Sequence, residues 1–180
     1  MSVLELAWNW NATDEEWRTA YPCDRYIDGP HRIFMRAIDV DAPADVVFRW
    51  VCQLKVAPYS YDLLDNRGRR SPRRLTPGAE DLRLGQRLLI GPIVEFETGR
   101  HVTIVVDPGL EWVCGFMSLT YAVKPTGPAS SRLLCKFDIE CRTRPQFARL
   151  YAIAWGDLIM MRKQFLTLKA LAEETARVDG

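Results

Sequence analysis

Between Arg132 and Arg142 apolar and polar residues alternate. Leu133, Cys135, Phe137, Ile139 and Cys141 fall on one side, and Arg132, Lys136, Asp138 and Glu140 on the other. A period of two predicts a β-strand with one apolar and one polar face. Strand patterns also occupy Arg32–Val40, Arg87–Ile90, Ile93–Glu97, His101–Val106 and Glu111–Lys124. Gly91-Pro92, Asp107-Pro108-Gly109 and Pro125-Thr126-Gly127-Pro128 punctuate them, so the region from Gln86 to Arg144 reads as an antiparallel meander. Glu95 and Glu97 alternate with apolar neighbours and are expected to face solvent.

Two segments carry the helical period instead. After Asp41-Ala42-Pro43-Ala44-Asp45, with Pro43 near the first turn, Val46, Val47, Trp50, Val51 and Leu54 share one face, and Pro58 ends the pattern. From Pro145 to about Arg177, Phe147, Tyr151, Ala154, Leu158, Met161, Phe165, Leu168 and Ala172 step by fours and threes. Such a helix would be about 50 Å long at roughly 1.5 Å per residue, which marks Gly156 as a bend or close-approach point. The first 30 residues hold Trp8, Trp10 and Trp17, and Thr13-Asp14-Glu15-Glu16 is a capping box. Three free indoles would be costly in water, so residues 1–30 are expected to form an arm, or a lid, on a single domain spanning 31–180.

The order is strand, helix, short helical segment, about six strands and one long helix, an α+β arrangement. The apolar sheet face needs a cover, and the terminal helix has the matching stripe. A curved sheet around one helix leaves a gap suited to a ligand. Trp50, Phe96, Trp112, Phe116, Tyr121, Tyr151, Trp155 and Met161 are the candidate cavity lining, with Phe137 beside them. Trp112, Tyr121 and Trp155 carry polar tips that need partners when buried.

Composition narrows the function classes. The 180 residues are 48% hydrophobic and 26% charged, with a net charge of +1, which fits one soluble domain and argues against a general nucleic-acid binder. No apolar run is long enough to span a bilayer, and Met1–Trp8 lacks the features of a secretory signal, so a cytoplasmic location is expected. Cys23, Cys52, Cys114, Cys135 and Cys141 form no CxxC pair and read as reduced, structural thiols. Neither His31 nor His101 sits at ligand spacing from a cysteine, so no metal or cofactor is implied.

The richest chemistry lies in Tyr59-Ser60-Tyr61-Asp62-Leu63-Leu64-Asp65-Asn66-Arg67-Gly68-Arg69-Arg70-Ser71. Tyr59, Tyr61 and Asp62 are candidate catalytic residues, a carboxylate base beside a phenol that polarises a carbonyl. The same residues, with Asp65 and Asn66, could equally knot a crossover through turn caps. Arg67, Arg69 and Arg70, followed by Arg73 and Arg74, make a basic patch. It is either a dock for an anionic partner, such as an acidic phosphopantetheine-bearing carrier protein, or solvated charge paired with Glu80 and Asp81.

Arg36-Ala37-Ile38-Asp39-Val40-Asp41-Ala42-Pro43-Ala44-Asp45-Val46-Val47-Phe48-Arg49-Trp50 resembles the opening strand and "xAPxxxVW" helix start of the START/Bet v 1-like superfamily, the polyketide cyclase/dehydrase and lipid-transport (SRPBCC) group. Tyr59–Asn66 is similar to a "YSYDxLDN" segment of a bacterial branch. Asp81–Gln86 resembles its "DLxxGD" sheet entry, with Gln86 in place of the acid, and Ser131–Lys136 its "TRLxxR" strand. The resemblance covers residues 20–178. It implies a helix-grip fold, six to seven strands curved around the terminal helix, with one or two short helices after the first strand. It also implies a small hydrophobic ligand, aromatic or polyketide-like, in the cavity. Two alternatives stand beside that: a cofactor-independent polyketide cyclase or dehydratase using Tyr59, Tyr61 and Asp62, and a non-catalytic interaction module whose cavity its own side chains fill.

Overall fold

The computed structural model describes residues 3–66 and 68–179. The N-terminal segment contributes α1 (Val3–Leu6), β1 (Asn9–Trp10), α2 (Asp14–Arg18) and a 3-10 turn at Pro22–Tyr26. β2 (His31–Val40), α3 (Ala44–Cys52), a 3-10 turn at Gln53–Lys55 and α4 (Asp62–Asp65) follow. Then come β3 (Arg87–Leu88), β4 (Gly91–Glu97), β5 (His101–Val105), a 3-10 turn at Pro108–Leu110 and α5 (Glu111–Cys114). β6 (Met117–Gly127), β7 (Ser130–Glu140) and α6 (Arg144–Asp179) complete the fold.

The sheet has seven strands in the order β1-β2-β7-β6-β5-β4-β3. All pairings from β2 onward are antiparallel, whereas β1 joins β2 in parallel through Asn9 and Trp10. The expected meander is therefore present, and the arm adds an unforeseen edge strand to it. Leu133, Cys135, Phe137 and Ile139 of β7 face the main core, as the alternation predicts. α6 covers that face with Leu150, Ala154, Met161, Phe165, Leu168, Leu171 and Ala172. The Trp50 indole of α3 donates to Thr175 Oγ1 at 3.0 Å and ties the two helices together.

The polar face of β7 is not left to solvent. The arm covers it: Tyr21 and Cys23 pack on Met35, Ala37, Ala122 and Leu134, and Lys136 and Asp138 are buried. Burial of the cations is tolerated because they are paired. Arg132 binds Glu16 at 2.8 Å and Asp39 at 3.0 Å, and Lys136 binds Asp24 at 2.8 Å. Thr13 forms the expected capping box with Glu16, so one carboxylate both caps α2 and holds Arg132. Glu95 is likewise engaged, by Arg25 and by Tyr26 at 3.4 Å.

Two further expectations need correction. The strand expected from Glu111 begins only at Met117, because the Pro108 turn runs on into α5, which Gly115 terminates at φ 80°. α6 runs unbroken for 36 residues, and a Cβ built on Gly156 meets nothing within 4 Å, so this glycine is not a close-approach point. An exposed helical glycine mainly costs backbone entropy. Gly156→Ala should thus stabilise the fold by about 0.5–1 kcal/mol, read as a raised urea midpoint at unchanged slope.

Candidate functional site

A cavity of ≈ 410 Å³ opens between the concave sheet face and α6. That lies within the roughly 300–1,000 Å³ of ligand pockets. Leu119 and Tyr121 of β6 and Phe137 of β7 form its floor, and Asp157, Met160, Met161 and Gln164 of α6 its roof. Its rim is made by Pro58, Ser60 and Asp65 on one side and by Arg87, Leu89 and Ile90 on the other. The rim is strained at both sides. Tyr59, between Pro58 and Ser60, has φ 55°, and Leu89 has φ 53°. A bulky residue in the left-handed region costs about 1–3 kcal/mol, and such strain concentrates where a fold shapes a site.

The polar groups facing this space form two sets. Tyr121 is fully buried and donates from its hydroxyl to Gln164 Oε1 at 2.7 Å, while Gln164 Nε2 donates to the Pro58 carbonyl at 2.7 Å. Burial raises the Tyr121 phenol well above its usual range, so it remains a protonated donor. The second set is an ion pair in the core. Arg36 Nε and Nη2 both donate to Asp157 Oδ2, at 3.1 and 2.8 Å, and Oδ1 takes no part in that pair. Arg36 is 0% exposed and also binds the carbonyls of Ala7, Trp8, Met35 and Ala154. Asp157 keeps 18% of its side-chain surface, and that surface lines the cavity. The protein around it is dense enough that burial raises its carboxyl above the usual carboxylate range, against the opposing pull of Arg36. A carboxylate of raised basicity and a phenol donor, in a largely apolar chamber, can bind a hydroxyl or carbonyl and can take up a proton.

Of the residues singled out in the sequence as lining, Tyr121, Phe137 and Met161 line the cavity. Trp50 lies behind it in the core, edge-on to Tyr59 at 5.9 Å. Phe96 is part-buried against the same core. Tyr151 and Trp155 meet edge-on at 6.4 Å, and Tyr151 lies 6.0 Å from Trp8 of the arm. Phe116 is half-buried beside Gly115, and its carbonyl accepts from the Glu140 amide. Trp112 is 78% exposed, because it belongs to α5 rather than to a strand facing the cavity.

None of Tyr59, Tyr61 and Asp62 is among the lining residues. Tyr59 is buried with no partner for its hydroxyl, which burial and then the Asp62 charge push up to about 12. Tyr61 is 40% exposed. Asp62 accepts from Ser71 Oγ at 2.6 Å and from the Ser71 amide at 2.9 Å. Burial would raise its carboxyl, but these bonds hold it below its usual range. From this segment the cavity takes Ser60 and Asp65, the Ser60 hydroxyl donating to Asp65 Oδ2. Arg69 and Arg70 are exposed, and Arg67 lies outside the described residues. Arg73 pairs with Glu174 at 3.7 Å rather than with Glu80 or Asp81.

Arg36 and Asp157 were not among the residues singled out, yet both leave a trace in the sequence. Arg36 takes an inward position between Phe34 and Ile38 in β2, and Asp157 falls inside the apolar stripe between Ala154 and Met161. Opposite charges at two core positions are a pairing signal, visible once strand and helix are known to face each other.

A sheet gripping one long helix over a lined cavity defines the helix-grip fold of the START/Bet v 1-like proteins. Solved structures agree at the level of fold. The chain is similar to protein MLL2253 from Mesorhizobium loti, with a TM-score of 0.51 and 14% identity over 80% of this chain and 98% of that one. It is similar to protein NE0264 from Nitrosomonas europaea, with a TM-score of 0.51 and 11% identity over 79% of this chain and 95% of that one. It also matches the di-domain ARO/CYC StfQ from the steffimycin biosynthetic pathway, with a TM-score of 0.50 and 13% identity over 82% of this chain. The chain spans about half the length of the di-domain proteins it matches, 52% of StfQ and 46% of BexL. No protein-family model matches the chain, and no curated protein does. Among the described residues no helix is long and apolar enough to cross a membrane.

Proposed function

We propose that this chain binds a small, largely apolar ligand carrying a hydroxyl or carbonyl group in the cavity between sheet and α6. The observation that carries this reading is the open ≈ 410 Å³ space whose floor and roof combine Tyr121, Gln164 and Asp157 with Leu119, Phe137, Met160 and Met161. Their polar groups give a bound molecule an orientation, and the apolar walls supply the free energy of transfer from water. An aromatic or polyketide-like compound fits that description. One fold neighbour, StfQ, is described as an aromatase/cyclase.

The test uses the methionine methyls as reporters. Met160 and Met161 line the cavity, whereas Met35 and Met117 do not. In methyl-labelled protein titrated with hydroxynaphthalenes and hydroxyanthraquinones, the Met160 and Met161 signals should shift while Met35 stays fixed. Tyr121→Phe should weaken the binding about tenfold, the effect of one hydrogen bond of roughly 1–1.5 kcal/mol. A panel that leaves both cavity methyls unmoved defeats the reading.

A second reading is favoured by the raised carboxyl of Asp157. Cyclase- or dehydratase-type chemistry at this site would use Asp157 as the base and Tyr121 as the donor to a carbonyl. Tyr59, Tyr61 and Asp62 would then hold the rim in place, with Asp62 fastening Ser71 across it. Docking of an acidic carrier protein would fall to the exposed Arg69 and Arg70.

A further inference from the structure

A different cluster lies on the other face of the sheet, under the arm. The turn Pro22–Tyr26 is clamped there through Cys23. Its amide donates to Thr120 Oγ1 at 3.0 Å, and its carbonyl accepts from Ser118 Oγ at 2.9 Å. This places the Cys23 thiol and the Asp24 carboxylate over Asp138 of β7. One ligating atom from each of Cys23, Asp24 and Asp138 lies within 4.8 Å of the others.

His31, the first residue of β2, lies just outside this trio and is the candidate fourth donor. Its Nε2 is 3.7 Å from Asp138 Oδ1, and its Nδ1 is 2.8 Å from the Gly29 carbonyl. That carbonyl can only accept, so Nδ1 carries a proton and Nε2 is the ring nitrogen turned toward Asp138. A backbone carbonyl fixing one imidazole nitrogen while the other faces an ion is the usual support of a histidine ligand.

An independent observation points to a ligand. The Asp138 side chain is 2% exposed, and neither of its carboxylate oxygens has a hydrogen-bond partner. An ion buried in this way costs several kcal/mol unless a cation or a proton joins it. Lys136 does not serve it, because its Nζ sits 2.8 Å from Asp24 Oδ1. Two carboxylates thus share one ammonium, with the His31 imidazole as the other basic group beside them.

We propose that Cys23, Asp24, Asp138 and His31 form a site for one divalent transition-metal ion of zinc-like chemistry. The donor set of one sulfur, one imidazole and two carboxylates suits such an ion better than magnesium or calcium, which take oxygen ligands. On binding, the Cys23 thiol gives its proton to solvent and the thiolate joins the metal. Entry is open, since Asp24 and His31 keep 31% and 39% of their side-chain surfaces. With four protein ligands the site is structural: it pins the arm to β2 and β7. Sequence spacing hides it, because the ligands come from a turn, a strand start and a distant strand.

The test is a cobalt(II) titration of the chelator-stripped full-length chain, followed by zinc(II). One equivalent of cobalt should give a near-ultraviolet thiolate-to-metal charge-transfer band that zinc displaces, and zinc should raise the thermal midpoint. Cys23→Ser should remove the band. His31→Ala, at a part-exposed position the core does not need, should weaken cobalt binding about ten- to a hundredfold. Absence of the band at one equivalent would overturn the proposal. So would a band that persists in Cys23→Ser, which places the ion on another cysteine, or unchanged affinity in His31→Ala.

Discussion

Arg36→Met is expected to destabilise the protein by about 3–5 kcal/mol, the cost of leaving a buried carboxylate without its partner. Asp157 would lose both guanidinium bonds, and the Ala7, Trp8, Met35 and Ala154 carbonyls would lose a shared donor. The loss has two parts that a double variant separates. Arg36→Met with Asp157→Leu removes both charges and should recover much of the stability, because an apolar pair of similar volume replaces an ion pair. The Ala7 carbonyl loses its Arg36 donor in both variants, while the Trp8 carbonyl keeps only the Met35 amide, so the arm should stay looser than in the parent chain. Urea unfolding gives the first quantity, and amide hydrogen exchange at residues 7–10 gives the second. A single variant as stable as the parent would show that Arg36 is not the counter-ion of Asp157.

The same pair joins structure to function. Arg36 lowers the cost of placing a carboxylate in the roof of the cavity, and burial still leaves that carboxyl raised. Asp157 is therefore fixed in position yet able to take a proton, which a surface aspartate of ordinary acidity would do poorly near neutral pH.

Gly91→Ala is expected to cost about 3 kcal/mol, at the upper end of ordinary overpacking effects. The added Cβ would lie 1.7 Å from the Val105 carbonyl oxygen and 2.8 Å from its carbon. Both are backbone atoms of β5, so no side chain can turn aside and β4 must move. The hairpin that carries Leu89 and Ile90 moves with it, and these two residues form one rim of the cavity. The denaturant midpoint should fall, and the Met160 and Met161 methyl signals should shift even without ligand. Gly99→Ala is the control: a Cβ there meets nothing within 4 Å, and the cost is only that of a φ of 81°, about 1–2 kcal/mol. Equal losses at the two positions would mean that the close approach at Gly91 is not the cause.

Periodicity predicts the sheet and the long helix because each element must bury one face, and the spacing of apolar residues records that face directly. β2, α3, β7 and α6 are legible for this reason, as is the capping box at Thr13, a purely local device. The start of β6 is not. Glu111-Trp112-Val113-Cys114 is apolar enough for a strand, and only Gly115 at φ 80° and the preceding proline turn make it a helix end. Aromatic character is a poor guide to cavity lining for the same reason. Tyr121 and Phe137 reach the cavity, while Trp50 is core and Trp112 faces solvent, because lining depends on which element carries the residue.

The fold class, the order of the main strands and long helices, and the inward faces of β7 and α6 were thus settled by the pattern of residues along the chain, since each depends on interactions within a strand or a helical turn. Three things were decided by tertiary contact alone. The arm covers the polar face of β7 because Arg132 and Lys136 find carboxylates more than a hundred residues away. Arg36 and Asp157 become tolerable core residues only when β2 and α6 meet. The cavity exists because a curved sheet and a straight helix cannot match each other's surfaces throughout, and no local stretch of sequence encodes that mismatch.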